Sequence, residues 1–310
     1  MPLANLRAIL RPVERRIEQI FQRGRDAGQR LLSPFVCAGH PSPGVLGGIL
    51  GALERGGAAM AEIGFPFSDP IADGPTIAAA MHEALARGTT AGGVMDEVLS
   101  ARETNMISDR FGLVAMVSVS IVHRVSRARG TPAAFMGRAK ESGFDAVLIP
   151  DLPLEEIGPY REAALACGLV FPMLISATTT PPRMAEIAKA ATGFIYLMAR
   201  VGITGEQAAA PEVAGLVARV RGASNLPIAC GFGISTPDHV RAVSQHADAV
   251  IVGSALVRTL SDAHRAGHDV LRVAEDETRT FVAGLVPASL TGRAQSGQAQ
   301  SGQAQTDGRA

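Results

Sequence analysis

The sequence predicts an α/β protein of the (β/α)8 class, a TIM barrel with an extra N-terminal helix. Short apolar runs recur eight times along the 310 residues, they are continuously apolar rather than alternating, and amphipathic segments lie between them. Strands covered on both faces read this way, whereas strands with one wet face alternate. Eight such units in ~250 to 270 residues fit one closed barrel, where an open doubly wound sheet would be expected to divide into two domains.

The extra helix is "VERRIEQIFQRGRDAG" (13–28), placed at the N-terminal end of the barrel. The first four strands are "SPFVCAG" (33–39), "AAMAEIG" (58–64), "FGLVAMVSV" (111–119) and "DAVLIPD" (145–151). The other four are "LVFPMLI" (169–175), "GFIYLMA" (193–199), "NLPIACG" (225–231) and "ADAVIVGS" (247–254). Most runs end in Gly, Pro, Ser or Asp. The crossover helices include "AAFMGRAKESG" (133–143), "PPRMAEIAKAATG" (181–193) and "TPDHVRAVSQHA" (236–247). The last two open on Pro or Thr, as helix starts do. Residues 1–290 are expected to form this single barrel. Residues 291–310, with the repeat "AQSGQAQSGQAQ", have nothing to bury and are expected to be a disordered tail.

Composition narrows the function. Basic and acidic residues number 29 each and form no block of like charge, which argues against a nucleic acid or an anionic membrane as partner. Three cysteines without CxxC spacing read as free thiols in a reducing compartment. No signal segment opens the chain, and the uncharged run Phe111 to His123 falls short of the ~20 residues a bilayer span requires. A cytoplasmic enzyme is expected.

Barrel active sites lie at the C-terminal ends of the strands, so position filters the candidates. Runs seven and eight lead into "GFGIS" (231–235) and "GSA" (253–255), where glycines free backbone N–H groups ahead of a helix N-terminus. These are the loops where barrels commonly hold phosphate, although a GFG alone could simply make a tight turn. The expected ligand is a phosphate ester.

Glu62 closes run two between Ala61 and Ile63. Desolvation there would raise its pKa and make it a general acid/base, unless a backbone donor or an arginine satisfies it. Asp69, in "SDP", reads as a turn-stabilising residue. Spacing alone does not tell Asp73 from a cap of the helix that follows. The two lysines, Lys140 and Lys189, both fall in helical segments, which disfavours a Schiff-base mechanism. His40 and His123 lie just beyond strand ends and read as solvated loop residues rather than metal ligands. No metal and no cofactor are expected.

The segment "EIGFPFSDPIADGPTI" (62–77) resembles the signature of the tryptophan synthase alpha chain family. So do, in the family's order, "PFVCAGHP" (34–41), "DLPLEE" (151–156), "ATTTPPR" (177–183), "YLMARVGITG" (196–205), "GFGIS" and "GSALV" (253–257). The likeness runs from about residue 13 to 285. It implies cofactor-free retro-aldol cleavage of indole-3-glycerol phosphate to indole and glyceraldehyde 3-phosphate, within tryptophan biosynthesis. It also implies catalysis by Glu62 and Asp73, an indole pocket lined by Phe35 and Tyr196, and phosphate bound at Gly205, Gly233, Gly253 and Ser254. Thr204 would belong to a mobile loop that closes over the substrate, and a PLP-dependent beta chain would be the partner.

The loop 116–131, "MVSVSIVHRVSRARGT", departs from the family pattern. Ser118 and Ser120 stand where Tyr and Asn are usual, and the loop is longer and carries Arg124, Arg127 and Arg129. In the family this loop lies near the surface that docks the beta chain. A stand-alone or paralogous indole-releasing lyase, or a non-catalytic subunit that binds phosphate ligands, are therefore the alternatives.

Overall fold

In the computed structural model, which describes residues 15–70, 73–127, 130–200 and 210–287, eight parallel strands form a barrel. They are β1 (Leu31–Cys37), β2 (Met60–Gly64), β3 (Gly112–Met116), β4 (Ala146–Leu148), β5 (Met173–Ile175), β6 (Ile195–Met198), β7 (Ile228–Gly231) and β8 (Ala249–Val252). Each falls within, or within two residues of, an apolar run read from the sequence. Their order is β4-β3-β2-β1-β8-β7-β6-β5. Closure between β4 and β5 is made just before β5 begins: Val147 N–H donates to the Val170 carbonyl at 3.1 Å and Val170 N–H to the Asp145 carbonyl at 3.0 Å.

The described helices are α1 (Arg16–Asp26), α2 (Leu46–Arg55), α3 (Pro75–Ala86), α4 (Ala91–Glu103), α5 (Val119–Ser126) and α6 (Ala133–Glu141). They continue with α7 (Gly158–Ala166), α8 (Pro181–Ala190), α9 (Ala214–Ala223), α10 (Pro237–Ser244), α11 (Ser254–Arg265) and α12 (Val270–Val282). Lys140 on α6 and Lys189 on α8 are exposed and remote from the barrel interior, as the helical reading required. The expected tail lies outside the described residues. None of the helices described is long and apolar enough to cross a membrane.

Alternation along the strands sorts side chains into two cores. Ala61 and Ile63 of β2 pack outward under the helices with Ile49 and Leu53, while Met60 points into the barrel with Val114, Ala146, Phe194 and Ala249. The extra helix plugs this interior from below: Ile17, Ile20 and Phe21 of α1 join the same inner cluster. Gly112 makes room for it, since a Cβ there would come within 2.7 Å of Ile20 Cδ1.

Two buried aspartates brace the N-terminal ends of the strands in matching fashion. Asp145, before β4, accepts from Leu113 N–H at 2.9 Å and pairs with Arg16 at 2.6 Å and Arg102 at 3.4 Å. Asp248, before β8, accepts from Ile228 N–H at 2.8 Å and pairs with Arg30 and Arg221. Each ties a strand to its neighbour and to flanking segments, at the end of the barrel where such residues serve stability. Removing Asp145 would leave the largely buried Arg102 guanidinium without its carboxylate and Leu113 N–H without its acceptor. Asp145→Ala is expected to lower the unfolding free energy by about 3 to 5 kcal/mol, read by chemical denaturation; a loss within experimental error would remove this role.

Candidate active site

Glu62 sits in the middle of β2, paired in register with Phe35 of β1 and Val114 of β3. With Met60 inward and Ala61 and Ile63 outward, alternation directs Glu62 into the barrel. It is 1% exposed, and neither carboxyl oxygen has a hydrogen-bond partner. The neutralising donor or arginine left open by the sequence is therefore absent among the described residues. Burial pushes its carboxyl well above the usual carboxylate range.

Above it, at the C-terminal end of the strands, opens a cavity of about 410 Å³. Phe35, Asp73, Tyr196, Gly233, Gly253 and Ser254 all line it, so the structure brings together six of the nine residues singled out from the sequence. Glu62 does not line the cavity; its carboxyl lies behind the wall, beside Phe35 in register and close enough to Tyr196 for its charge to act on the phenol. Thr204 and Gly205 lie outside the described residues.

Two glycines shape the aromatic wall. A Cβ on Gly64 would come within 2.4 Å of the Phe35 ring, and one on Gly231 within 2.9 Å of the Tyr196 hydroxyl. In each case an aromatic residue leans toward the mouth over a glycine at the end of the next strand, two positions beyond its own register partner. Ile77 and Met81 of α3, with Met116, Leu174, Met198 and Ile251, complete the apolar lining. Burial, then the charges of Glu62, Cys230 and Asp73, push the Tyr196 phenol well above its ordinary value, so it stays a neutral hydroxyl.

Asp73 precedes α3. Its N–H donates to the Pro70 carbonyl at 3.0 Å, Gly74 takes the N-cap position, and no side chain caps the helix. The capping alternative is thereby set aside. Burial pushes the Asp73 carboxyl up to about 6. Asp69 is exposed at the rim, and among the described residues its carboxylate accepts no hydrogen bond; the turn is closed by the Asp73 to Pro70 backbone bond instead of the side-chain cap expected of Asp69.

The opposite wall presents backbone donors. α11 starts at Ser254 directly after Gly253, without a side-chain cap, and its first intrahelical bond is Val257 N–H to the Gly253 carbonyl. The amides before Val257 have no helical carbonyl to meet and suit an anion. Across from them Phe232 and Gly233 both have φ of +77°, a conformation uncommon for a non-glycine residue and one that concentrates at ligand sites.

Several features were not read from the sequence. Asp151 lines the cavity and accepts from the Ser118 hydroxyl at 2.7 Å and Val119 N–H at 2.9 Å. It ends the fourth apolar run, so the strand-end filter could have found it. Part of the expected loop 116–131 is α5, whose N-cap is Ser118. His40 is not solvated: it is buried, with Nε2 2.6 Å from Ser261 Oγ on α11 and Nδ1 3.4 Å from Glu83 on α3. The three cysteines remain free thiols.

A family model for the tryptophan synthase alpha chain matches residues 21–284. The tryptophan synthase alpha chain of Geobacter sp. (strain M21) is 39% identical over 244 residues, 78% of this chain and 88% of that protein. That of Rhizorhabdus wittichii is 36% identical over 271 residues, 87% of this chain and 96% of the other. Among solved structures, tryptophan synthase subunit alpha from Legionella pneumophila superposes with a TM-score of 0.77 at 30% identity, covering 87% of this chain and 98% of that one. A tryptophan synthase structure from Mycobacterium tuberculosis gives 0.77 at 28%, covering 87% and 98%. With matches that span the barrel from α1 through α12, the chain belongs to the tryptophan synthase alpha chain family.

Proposed function

We propose that this chain cleaves indole-3-glycerol phosphate to indole and glyceraldehyde 3-phosphate, using no metal or cofactor, in the cytoplasm. The observation that carries this reading is an unpartnered, buried carboxyl directly behind a cavity with an aromatic wall on one side and free helix amides on the other. The indole ring fits between Phe35 and Tyr196, and the phosphate fits against Gly233, Gly253 and Ser254. Thr204 and Gly205 would close the site from the following loop.

In the retro-aldol step Glu62 delivers its proton to indole C3, which leaves positive charge on the ring nitrogen. Asp73 stands as the counter-charge, because a carboxyl pushed up to about 6 is largely ionised at neutral pH, while full burial favours the protonated form of Glu62. The hydroxyl on the carbon joined to C3 then loses its proton to Glu62. Its electron pair forms the aldehyde carbonyl, the carbon–carbon bond breaks, and the electrons return to the ring. Glu62 ends protonated, ready for another turnover. Since no hydrogen bond holds its carboxyl, rotation toward the cavity breaks none.

Pairing with a PLP-dependent beta chain belongs to the same reading. A stand-alone lyase is the second reading, favoured by the departure of residues 116–131 from the family pattern, with Ser118 and Ser120 where Tyr and Asn are usual. Indole release measured with and without the cognate beta chain separates them: stimulation and co-elution support the pair, and the absence of both leaves the stand-alone enzyme.

Glu62→Gln is expected to lower kcat by about 100-fold to 10,000-fold with KM little changed; indole formation at the wild-type rate would sink the assignment. Asp73→Asn should cost on the order of 100-fold to 1,000-fold in kcat. Glu62 also has a signature in stability. Its folded pKa is raised, so its favourable contribution is complete below the unfolded value of about 4.3 and is lost as pH rises toward the folded value. The stability of Glu62→Gln relative to wild type should therefore improve in thermal melts as pH rises above about 4.3 toward the raised folded value, and a pH-independent difference would contradict the burial.

A further inference from the structure

Two polar side chains are buried inside the barrel with nothing to bond. One is Glu62; the other is Ser33 of β1, which is 1% exposed and whose hydroxyl has no hydrogen-bond partner. A hydroxyl left bare in this way costs stability, and a small apolar side chain would fill the position without that loss. Strand pairing does not call for it, because the ladder engages only backbone groups.

The two groups share one face of the sheet. Ser33 lies in register with Ile251 of β8, an inner residue, and Phe35, two positions on, lies in register with Glu62. Register partners of parallel strands face the same side, and alternation repeats every second residue, so Ser33, Phe35 and Glu62 all point inward. Ser33 is thus the diagonal neighbour of Glu62 on the adjacent strand, nearer the barrel floor, and a long side chain spans such a diagonal. It does not line the catalytic cavity, which opens toward the other end of the strands.

What faces Glu62 from the remaining elements is mostly apolar. β3, β4, β7 and β8 turn Val114, Ala146, Ala229 and Ile251 inward, and α1 closes the floor with Ile17, Ile20 and Phe21. The titratable neighbours are Tyr196 of β6, which stays a neutral phenol, Asp73 at the mouth, and Cys37 at the end of β1, whose thiol burial pushes up to about 12. None of these groups is a cation.

We propose that Ser33 is a positioning residue for the proton shuttle: its hydroxyl binds the Glu62 carboxylate in the interval between delivery of the proton to indole C3 and its return. This rests on the retro-aldol reading. In that interval the dry interior must hold an anion, the costliest state the carboxyl visits. A hydroxyl bonded to an ion contributes more than one bonded to a neutral acid, so Ser33 favours the ionised state over the resting one. Ser33 keeps its own proton throughout and makes no bond to the substrate.

The test is indole formation from indole-3-glycerol phosphate by the full chain, with kcat and KM followed across pH. Ser33→Ala is expected to lower kcat about 10-fold to 100-fold with KM unchanged. A donor favours the ion, so losing it raises the pH at which the ion forms. The fall of kcat at high pH, where Glu62 no longer holds its proton, should therefore move to higher pH, while the fall at low pH, set by Asp73 at about 6, stays in place. Ser33→Thr keeps the hydroxyl and should recover most of the rate, and Ser33→Ala should melt no lower than wild type because it removes an orphaned group. In the Glu62→Gln background Ser33→Ala should cost nothing further. Wild-type kcat with an unmoved pH profile in Ser33→Ala, or an equal further loss in the Glu62→Gln background, overturns the proposal. Failure of the catalytic reading would look different: Glu62→Gln alone would keep the wild-type rate, and the role of Ser33 would fall with it.

Discussion

The burial of one unpartnered carboxyl group inside a closed, apolar barrel is the constraint on which the rest of the site depends. In water a glutamate at neutral pH is an anion. Behind Phe35 and Tyr196, with no donor bonded to it, the ion would forfeit its hydration for nothing, so burial pushes the carboxyl well above the usual carboxylate range and favours the protonated form. That single fact turns an ordinary side chain into a store of one transferable proton. Asp145 and Asp248 show the contrast. They too are buried, at the other end of the barrel, but each accepts a backbone N–H and meets two arginines, and they brace strands. Under the proposed mechanism the same functional group serves chemistry where the fold withholds partners and architecture where it supplies them.

The rest of the cavity follows from keeping that group dry while leaving it one way out. The floor is sealed by Ile17, Ile20 and Phe21, so water has no route from below. Toward the mouth the seal is aromatic, and Gly64 and Gly231 are what allow Phe35 and Tyr196 to lean over the strand ends. A planar apolar ligand can take the place of water against such a wall. The backbone amides of Gly253 and the α11 start lie on the other side, so one ligand must carry an apolar ring and an anionic tail to satisfy both. Asp73 contributes a second carboxyl of intermediate acidity between these two environments. Two acids set apart in proton affinity by their surroundings are what acid/base chemistry at neutral pH needs.

Much of this was legible in the chain because barrels translate sequence position into spatial position. A run that closes in Gly or Ser delivers that residue to the mouth, as Gly253 and Ser254 show, whereas Glu62 lies in mid-strand behind the cavity wall and its inward direction emerged only from the alternation of β2 in the fold. What stayed hidden depends on contacts distant in sequence. His40 looked solvated because it follows a strand end in a Gly- and Pro-containing turn; its hydrogen-bond partner Ser261 is 221 residues away. Asp151 was masked by its turn-like setting after Pro150, and its role required knowing that β3 and β4 are neighbours, which brings it to Ser118. The helix α5 was missed because Val117, Ser118 and Val119 extend an apolar strand pattern. The carboxylate of Asp151 stops that strand by capping Ser118 and Val119.

That capping makes α5 a distinct piece of the molecule. A helix of eight residues is too short to be stable on its own and is held by what meets its two ends. At the N-terminus stands Asp151, which lines the cavity at the barrel mouth, so the helix start is fixed by a group that also shapes the cavity wall. At the C-terminus Arg124 and Arg127 meet no carboxylate among the described residues, and the Ser126 hydroxyl has no partner. One end is thus fully satisfied and the other is not, and it is at the unsatisfied end that this chain departs in length and charge from the family pattern its barrel otherwise follows. For this barrel, the shortest physical path between its most divergent segment and its chemistry is α5 itself.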